Sequence, residues 1–143
     1  MPIVLEATVE GEQQLARRLS RFDVELNDFS ESFNEIRDEL LHSFDENFGQ
    51  RGGLFGGWAP RATDRPWPLL ERTGEMREGF RGDVHRDYLV IDNPTPYFAF
   101  HQSNRPRTKI PRRVMMKIDD LRKTFIQKAI QKAILEAMNR SNQ

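Results

Sequence analysis

The sequence predicts an α+β fold: a small, mostly antiparallel sheet of about four strands, with a long N-terminal helix and a C-terminal helix. Three observations carry that expectation. A helix-period apolar stripe runs from Leu15 to Phe48, and a second one fills the last third of the chain. Between and before them lie short alternating runs of the kind that pair into a sheet.

Residues 3–10, Ile-Val-Leu-Glu-Ala-Thr-Val-Glu, alternate from Val4 onward and are rich in β-branched side chains, which marks a strand ending at Gly11. From Glu12 the period changes. Leu15, Leu19, Phe22, Leu26, Phe29, Phe33, Ile36, Leu40, Phe44 and Phe48 follow one another at steps of three or four, with no Gly or Pro between them. A single helix over residues 12–48 would be roughly 55 Å long. A chain of this length has a radius of gyration of about 14 Å. Such a helix must bend, break or project, and a projecting apolar stripe needs a partner. Gly49 suits the position just past its end.

Residues 49–57 are glycine-rich. They carry no Gly-Lys-Ser/Thr and follow no strand, so they do not read as a phosphate loop. They read as a mobile loop presenting two anchors, Leu54 and Phe55, that order on docking. Pro60, Pro66 and Pro68 keep the next stretch irregular, and Trp58 and Trp67 within it read as packing plugs, with docking as the alternative role. Thr73 suits the cap of a short helix with Met76 and Phe80 on one face. Two extended runs, 80–85 and 88–92, flank Arg86-Asp87 as a tight hairpin, with Val84, Tyr88, Val90 and Ile91 at the buried positions.

Pro94 and Pro96 end that hairpin. Residues 97–102, Tyr-Phe-Ala-Phe-His-Gln, read as one helical turn, and residues 103–113 as a basic loop. Residues 114–118 read as a last short strand. Asp119 or Asp120 then caps a helix running to about Asn139. Its apolar face holds Leu121, Phe125, Ile126, Ala129, Ile130, Ala133, Ile134, Ala137 and Met138, with Arg122, Lys123, Lys128 and Lys132 opposite.

The 143 residues are expected to form one domain. At 37% apolar residues, the chain is poor in core material for a self-sufficient globule. It has no cysteine, so neither a disulfide nor thiol chemistry is available. No apolar run approaches membrane-spanning length and no leader opens the chain, so a soluble protein made in the cytoplasm, with no membrane contact, is expected. Net charge is zero but unevenly laid out. Residues 1–50 hold 12 acidic and 4 basic side chains, whereas residues 104–143 hold 3 and 11. The two ends neutralise each other within one chain, or one copy's acidic face meets its neighbour's basic face, or the basic end meets nucleic acid.

His42, His85 and His101 share no metal-binding spacing, and no Ser or Thr stands in a nucleophile-elbow context. The chain therefore reads as a non-enzyme without cofactor or metal. Aromatic and basic residues interleave over 97–113, a mixture that suits nucleic acid and subunit contacts alike.

Five segments in order carry a family resemblance: Trp58-Ala59-Pro60, residues 70–77 with Thr73-Gly74, the extended run 88–93, the Tyr97-Phe98-Ala99-Phe100-His101-Gln102 turn, and Ile110-Pro111-Arg112-Arg113. Together, over residues 55–118, they resemble the virion morphogenesis, or tail-completion, proteins of tailed bacteriophages. The chain departs from the family pattern in Met76 for Leu, Ser103-Asn104 for Gly, and Val114 and Met115 for Pro and Phe. The resemblance implies a structural neck subunit of the virion, assembled as a homo-oligomeric ring of six that joins the tail to the head side. The implied partners are a tail terminator or tail tube protein, a head-completion or adaptor protein, and DNA in the channel. On that reading Leu54, Phe55, Trp58, Trp67, Tyr97, Phe98, His101 and Gln102 are packing or docking anchors at partner or subunit contacts. Arg105, Arg107, Lys109, Arg112 and Arg113 are the charged contacts, to a neighbouring subunit's acidic helix or to DNA in the channel. The alternative is a DNA-binding protein that uses the basic C-terminal third.

Overall fold

A computed structural model describes residues 3–8, 28–103 and 111–141. In chain order they form β1 (Ile3–Thr8), α1 (Ser30–Gly49), a 3-10 turn (Gly53–Phe55), α2 (Glu75–Glu78), β2 (Arg81–Val84), β3 (Tyr88–Asn93), α3 (Phe98–Gln102) and α4 (Asp120–Ser141). The chain mixes helix and sheet. The sheet has three antiparallel strands in the order β1-β3-β2, with Ile3 opposite Asn93 and Arg81 opposite Asp92.

The β2–β3 hairpin turns at Arg86-Asp87, as the two-residue spacing predicts. Val84 pairs with Leu89, and the His85 N–H donates to the Tyr88 carbonyl at 2.9 Å. The buried face is shifted from expectation. Ile91 is buried as expected, but the other buried apolar residue of β3 is Leu89, with Asn93 also buried, whereas Tyr88 is exposed and Val90 half-buried. Across the hairpin, Arg81 clasps Asp92 with two hydrogen bonds, 2.6 Å from Nε and 2.8 Å from a terminal nitrogen.

The long first helix is broken. Asp28 and Phe29 precede α1 in non-helical conformation, so the 55 Å rod expected over residues 12–48 does not form; residues 12–27 lie outside the described residues. The break has a local cause. The Asp28 carboxylate accepts hydrogen bonds from both the backbone N–H (2.8 Å) and the hydroxyl of Ser30, which holds the carboxyl below its ordinary pKa. The Phe29 N–H meanwhile donates to the Arg86 carbonyl at 2.8 Å, tying the start of α1 to the hairpin.

Within α1 the seam projects nowhere. Phe29, Phe33, Ile36, Leu40, Phe44 and Phe48 are all at most 2% exposed in one chain. Each such side chain contributes about 2 kcal/mol by burial. α1 is the hub they serve, packing against β2, β3, α2 and α4. Phe80 and Phe98 close the seam at the sheet side: Phe44 and Phe80 centroids are 5.3 Å apart, and Phe80 meets Phe98 edge-on at 5.7 Å.

α4 is capped by Asp119, whose carboxylate accepts from the Arg122 N–H at 3.0 Å. Its faces differ from expectation. Ala129 and Ala137 are buried, and Ile126, Ile130, Ala133, Ile134 and Met138 are packed against the core. Leu121 and Phe125, assigned to the same face, are exposed. Arg122, assigned to the polar side, is buried; it pairs with Asp119 at 2.9 Å and lies over the Phe55 ring at 5.6 Å.

Residues 114–118 do not form the expected fourth strand. Met115 and Met116 are nevertheless fully buried, and their backbone is held by side chains. That arrangement is the centre of the site described next.

Candidate functional site: a three-loop clasp and its arginine-lined cleft

Two loops and the end of α3, remote in sequence, are stitched together at the end of α1. Trp58 donates its indole N–H to the Val114 carbonyl at 2.8 Å, and Asn47 donates to the same oxygen at 3.0 Å. Gln102 Nε2 donates to the Met116 carbonyl at 2.7 Å, while its Oε1 accepts from the N–H groups of Met115 (2.7 Å) and Met116 (3.1 Å). The Arg113 N–H donates to the His101 carbonyl at 2.8 Å. The Arg113 side chain donates to the carbonyls of Ala59 (3.0 Å) and Pro60 (3.3 Å). Arg112 Nε donates to the Gln102 carbonyl at 3.0 Å. The Trp-Ala-Pro, His-Gln and Arg-Arg segments thus form one hydrogen-bonded unit.

The glycine-rich loop belongs to this unit as well. The Gly52 N–H donates to the Asn47 carbonyl (2.8 Å), Gly57 to Gly52 (2.7 Å), and Trp58 to Arg51 (3.0 Å); Asn47 Oδ1 accepts from Leu54 at 3.2 Å. Gly52 sits at φ 82° with its α-carbon against the Trp58 ring; a Cβ there would lie 2.2 Å from the indole. The open docking loop expected from composition is therefore a closed turn. Its Phe55 already packs, half-buried, 6.2 Å from Phe44.

This geometry sorts the candidate contact residues. Phe98, Gln102 and Arg113 are buried in the chain; Gln102 and Arg113 build the clasp, and Phe98 packs in the core beside Phe80. Leu54, Phe55, Trp58, Trp67 and His101 are half-buried. Trp67 lies under the Arg72 guanidinium at 5.2 Å. Tyr97 and Arg112 are exposed. Arg105, Arg107 and Lys109 lie outside the described residues. Phe100, 56% exposed, stands 6.4 Å from Tyr97, and the two rings form an aromatic pair on the outside of α3.

Beside the clasp opens a polar cleft of about 520 Å³ lined by Arg51, Arg61, Arg65, Trp58 and Trp67, with Asp64 its one carboxylate. Arg61 donates to the Trp67 carbonyl at 2.8 Å. Arg113 is buried next to this cleft with carbonyl partners, and burial together with Arg61 pushes its guanidinium pKa down. Arg51 occupies the left-handed region at φ 52°, directly after α1, where glycine is the usual choice. Sequence reasoning passed over Arg51, Arg61, Arg65 and Asn47. The signal for the arginines was their interleaving with Trp58 and Trp67; that for Asn47 was its register with Leu40 and Phe44 on the apolar face, where an amide is out of place without a partner.

Arg77, on α2, joins the loop before that helix to α1. It contacts Asp45 at 2.7 Å and Glu71 at 2.9 Å, which raises its own pKa and lowers that of Asp45. Among the described residues, no group of three or more His, Asp or Glu side chains is gathered as a metal site, and no helix is long and apolar enough to cross a membrane.

Comparison with protein-family models, curated proteins and solved structures finds no match for this chain.

Proposed function

We propose that the protein is a structural α+β subunit of a tailed-phage virion, a tail-completion or neck protein that assembles with copies of itself and joins the tail to the head side. The supporting observation is the clasp. The segments that carry the family resemblance, Trp58-Ala59-Pro60, His101-Gln102 and Arg112-Arg113, are far apart in sequence and hydrogen-bonded to one another in space. A set of motifs shared across a family for structural reasons has this property. The apolar seam of α1 is not part of the support, since one chain encloses its described half. The partners on this reading are a tail terminator or tube protein and a head-completion protein, met through the exposed Tyr97–Phe100 pair and the arginine-lined cleft.

The test is genetic and microscopic. In a phage encoding this chain, a nonsense mutation in its gene is expected to leave filled heads and separate tails in electron micrographs, with the protein present by mass spectrometry in wild-type particles only. Infectious, joined particles lacking the chain would overturn the reading. The DNA-binding alternative has less support, because Arg113 and Arg122, two cations of the basic third, are turned into the protein interior.

A further inference from the structure

The arginine-lined cleft holds positive charge that the chain leaves unmatched. Four arginines elsewhere meet carboxylates: Arg37 reaches Asp38, Arg77 reaches Asp45 and Glu71, Arg81 reaches Asp92, and Arg122 reaches Asp119. Arg51, Arg61 and Arg65 line the cleft with Asp64, and among the described residues none of these four makes an ion pair. Behind the wall stands a further cation, Arg113, 6% exposed, whose side chain has only the backbone carbonyls of Ala59 and Pro60 as hydrogen-bond partners among the described residues. The like charge of Arg61 adds to burial in pushing its pKa down. The backbone is strained along the same wall. Arg51 (φ 52°) and Leu70 (φ 64°) are the non-glycine residues of the described chain in the left-handed region; Arg51 lines the cleft, and Leu70 directly follows Leu69, which lines it too. Such conformations are costly for residues with a Cβ and gather at ligand sites.

We infer that the cleft binds an acidic segment of a partner protein, seating two or more of its Asp or Glu side chains among Arg51, Arg61 and Arg65. Charge complementarity selects an anion, and each planar guanidinium presents a fork that matches the two oxygens of a carboxylate. A cleft of about 520 Å³ lies at the small end of ligand sites, so it holds a few side chains and not a tract of strand. Single-stranded nucleic acid asks for aromatic platforms as well as cations. Here Trp58 is packed on Phe48, ring centroids 5.1 Å apart, and against the Gly52 backbone, while Trp67 carries the Arg72 guanidinium at 5.2 Å. The rings act as walls. A second copy is the poorer source of carboxylates, because α1, the acidic helix, already sets Asp38, Asp45 and Glu35 against Arg37, Arg77 and Lys132. Asp64 then works as a brake. It repels each arriving carboxylate, so a segment carrying several is held and a lone one is not. The inference deepens the contact role proposed for this cleft and rests on that reading for the partner's being a protein.

The chain's two tryptophans both line the cleft, so their emission reports its occupancy. The full chain is titrated at low salt, about 50 mM, with an octaglutamate peptide. Octaglutamine, a thymidine octanucleotide and inorganic phosphate are the parallel probes. Octaglutamate is expected to bind and shift the emission, and octaglutamine to do neither. Arg51→Gln/Arg65→Gln is expected to weaken binding about fivefold or more, and Asp64→Asn to strengthen it about twofold. Lys128→Gln/Lys132→Gln removes as much charge from α4, outside the cleft's lining, and is expected to change affinity by less than about twofold. All these positions are exposed, and circular dichroism checks that the variants fold. Absence of octaglutamate binding up to about 1 mM overturns the inference. So does binding that the α4 variant weakens as much as the cleft variant, which is general charge attraction. Tighter binding of the octanucleotide than of octaglutamate, or displacement of the peptide by inorganic phosphate at equal concentration, makes the ligand a phosphate and overturns it too. Self-association of the protein alone that Arg51→Gln/Arg65→Gln abolishes makes a second copy the occupant and overturns the assignment to a separate partner. None of these results bears on particle joining, so failure of the inference and failure of the virion reading are told apart.

Discussion

Gln102 holds Met116 as a neighbouring strand would, donating to its carbonyl at 2.7 Å and accepting from its N–H at 3.1 Å. The side chain adds a third bond from the Met115 N–H at 2.7 Å. Met115 and Met116 are therefore buried without a ladder, with the Val114 carbonyl and their own polar groups satisfied by Asn47, Trp58 and Gln102.

Gln102→Ala leaves two N–H groups and one carbonyl buried without partners, each costing about 1–3 kcal/mol and together less than additively. The expected loss is on the order of 3 kcal/mol of unfolding free energy, read as a lower urea midpoint at unchanged slope. A loss below about 0.5 kcal/mol would mean that water reaches these groups and that the clasp is not a closed unit.

This clasp marks where the sequence stops being legible. Residues 114–118 have strand-like composition, and nothing local tells a ladder from side-chain partners that lie 13 to 67 positions away. The hairpin was legible because Arg86-Asp87 and its flanking runs are local. Helix α1 was legible from its period, yet Phe29 keeps that period across a break set by Asp28 and Ser30. Arg122 was readable in principle: it stands in register with Ile126, Ala129 and Ala133, and Asp119 three residues earlier supplies its partner. The arginine-lined cleft was the least legible part, because its lining comes from an irregular proline-rich segment that has no period to read.

Glycine 52 should be the least replaceable of the loop glycines. Both Gly52 (φ 82°) and Gly57 (φ 85°) are left-handed, but a Cβ at Gly57 meets nothing within 4 Å, whereas one at Gly52 strikes the Trp58 ring. Gly57→Ala is expected to cost about 1 kcal/mol, the backbone term alone. Gly52→Ala must also displace Trp58 from Phe48 and from the Val114 carbonyl, for a total of about 3 kcal/mol. Thermal melts give the ranking, and the tryptophan emission should shift red in Gly52→Ala only. Equal costs would show that Trp58 has room to move.

The Arg77–Asp45 contact gives a pH signature of defined sign. Arg77 holds the Asp45 carboxyl below its unfolded value of about 3.9. The unfolded chain then takes up the proton first, so the stabilisation is complete above that value and is lost as pH falls through the folded pKa. Asp45 is 57% exposed, which limits the effect to less than about 1 kcal/mol. Arg77→Leu is expected to return Asp45 to the ordinary carboxylate range in a carboxyl-carbon NMR titration and to flatten the fall in stability at acidic pH. An unmoved Asp45 in that variant would assign its shift to another group.

One short helix, α3, divides buried side chains from exposed ones. Phe98 and Gln102 are buried, whereas Phe100 of the same helix and Tyr97 at its N-cap are exposed, at 56% and 67%. Two exposed aromatic rings 6.4 Å apart contribute little to the fold, since surface substitutions of this kind change stability by about 0.5 kcal/mol or less. They are costly to leave in water and are the residue types that anchor interfaces. Tyr97→Ser/Phe100→Ser is therefore expected to melt within a few degrees of wild type and, if the proposed virion role holds, to be poorly incorporated into particles. Phe98→Ala, on the inner side, should instead lose about 3–4 kcal/mol and fail through instability. Incorporation is compared with soluble, folded protein held equal. If the outer pair incorporates like wild type, the contact lies elsewhere, and the arginine-lined cleft with Arg51, Arg61 and Arg65 becomes the surface to alter.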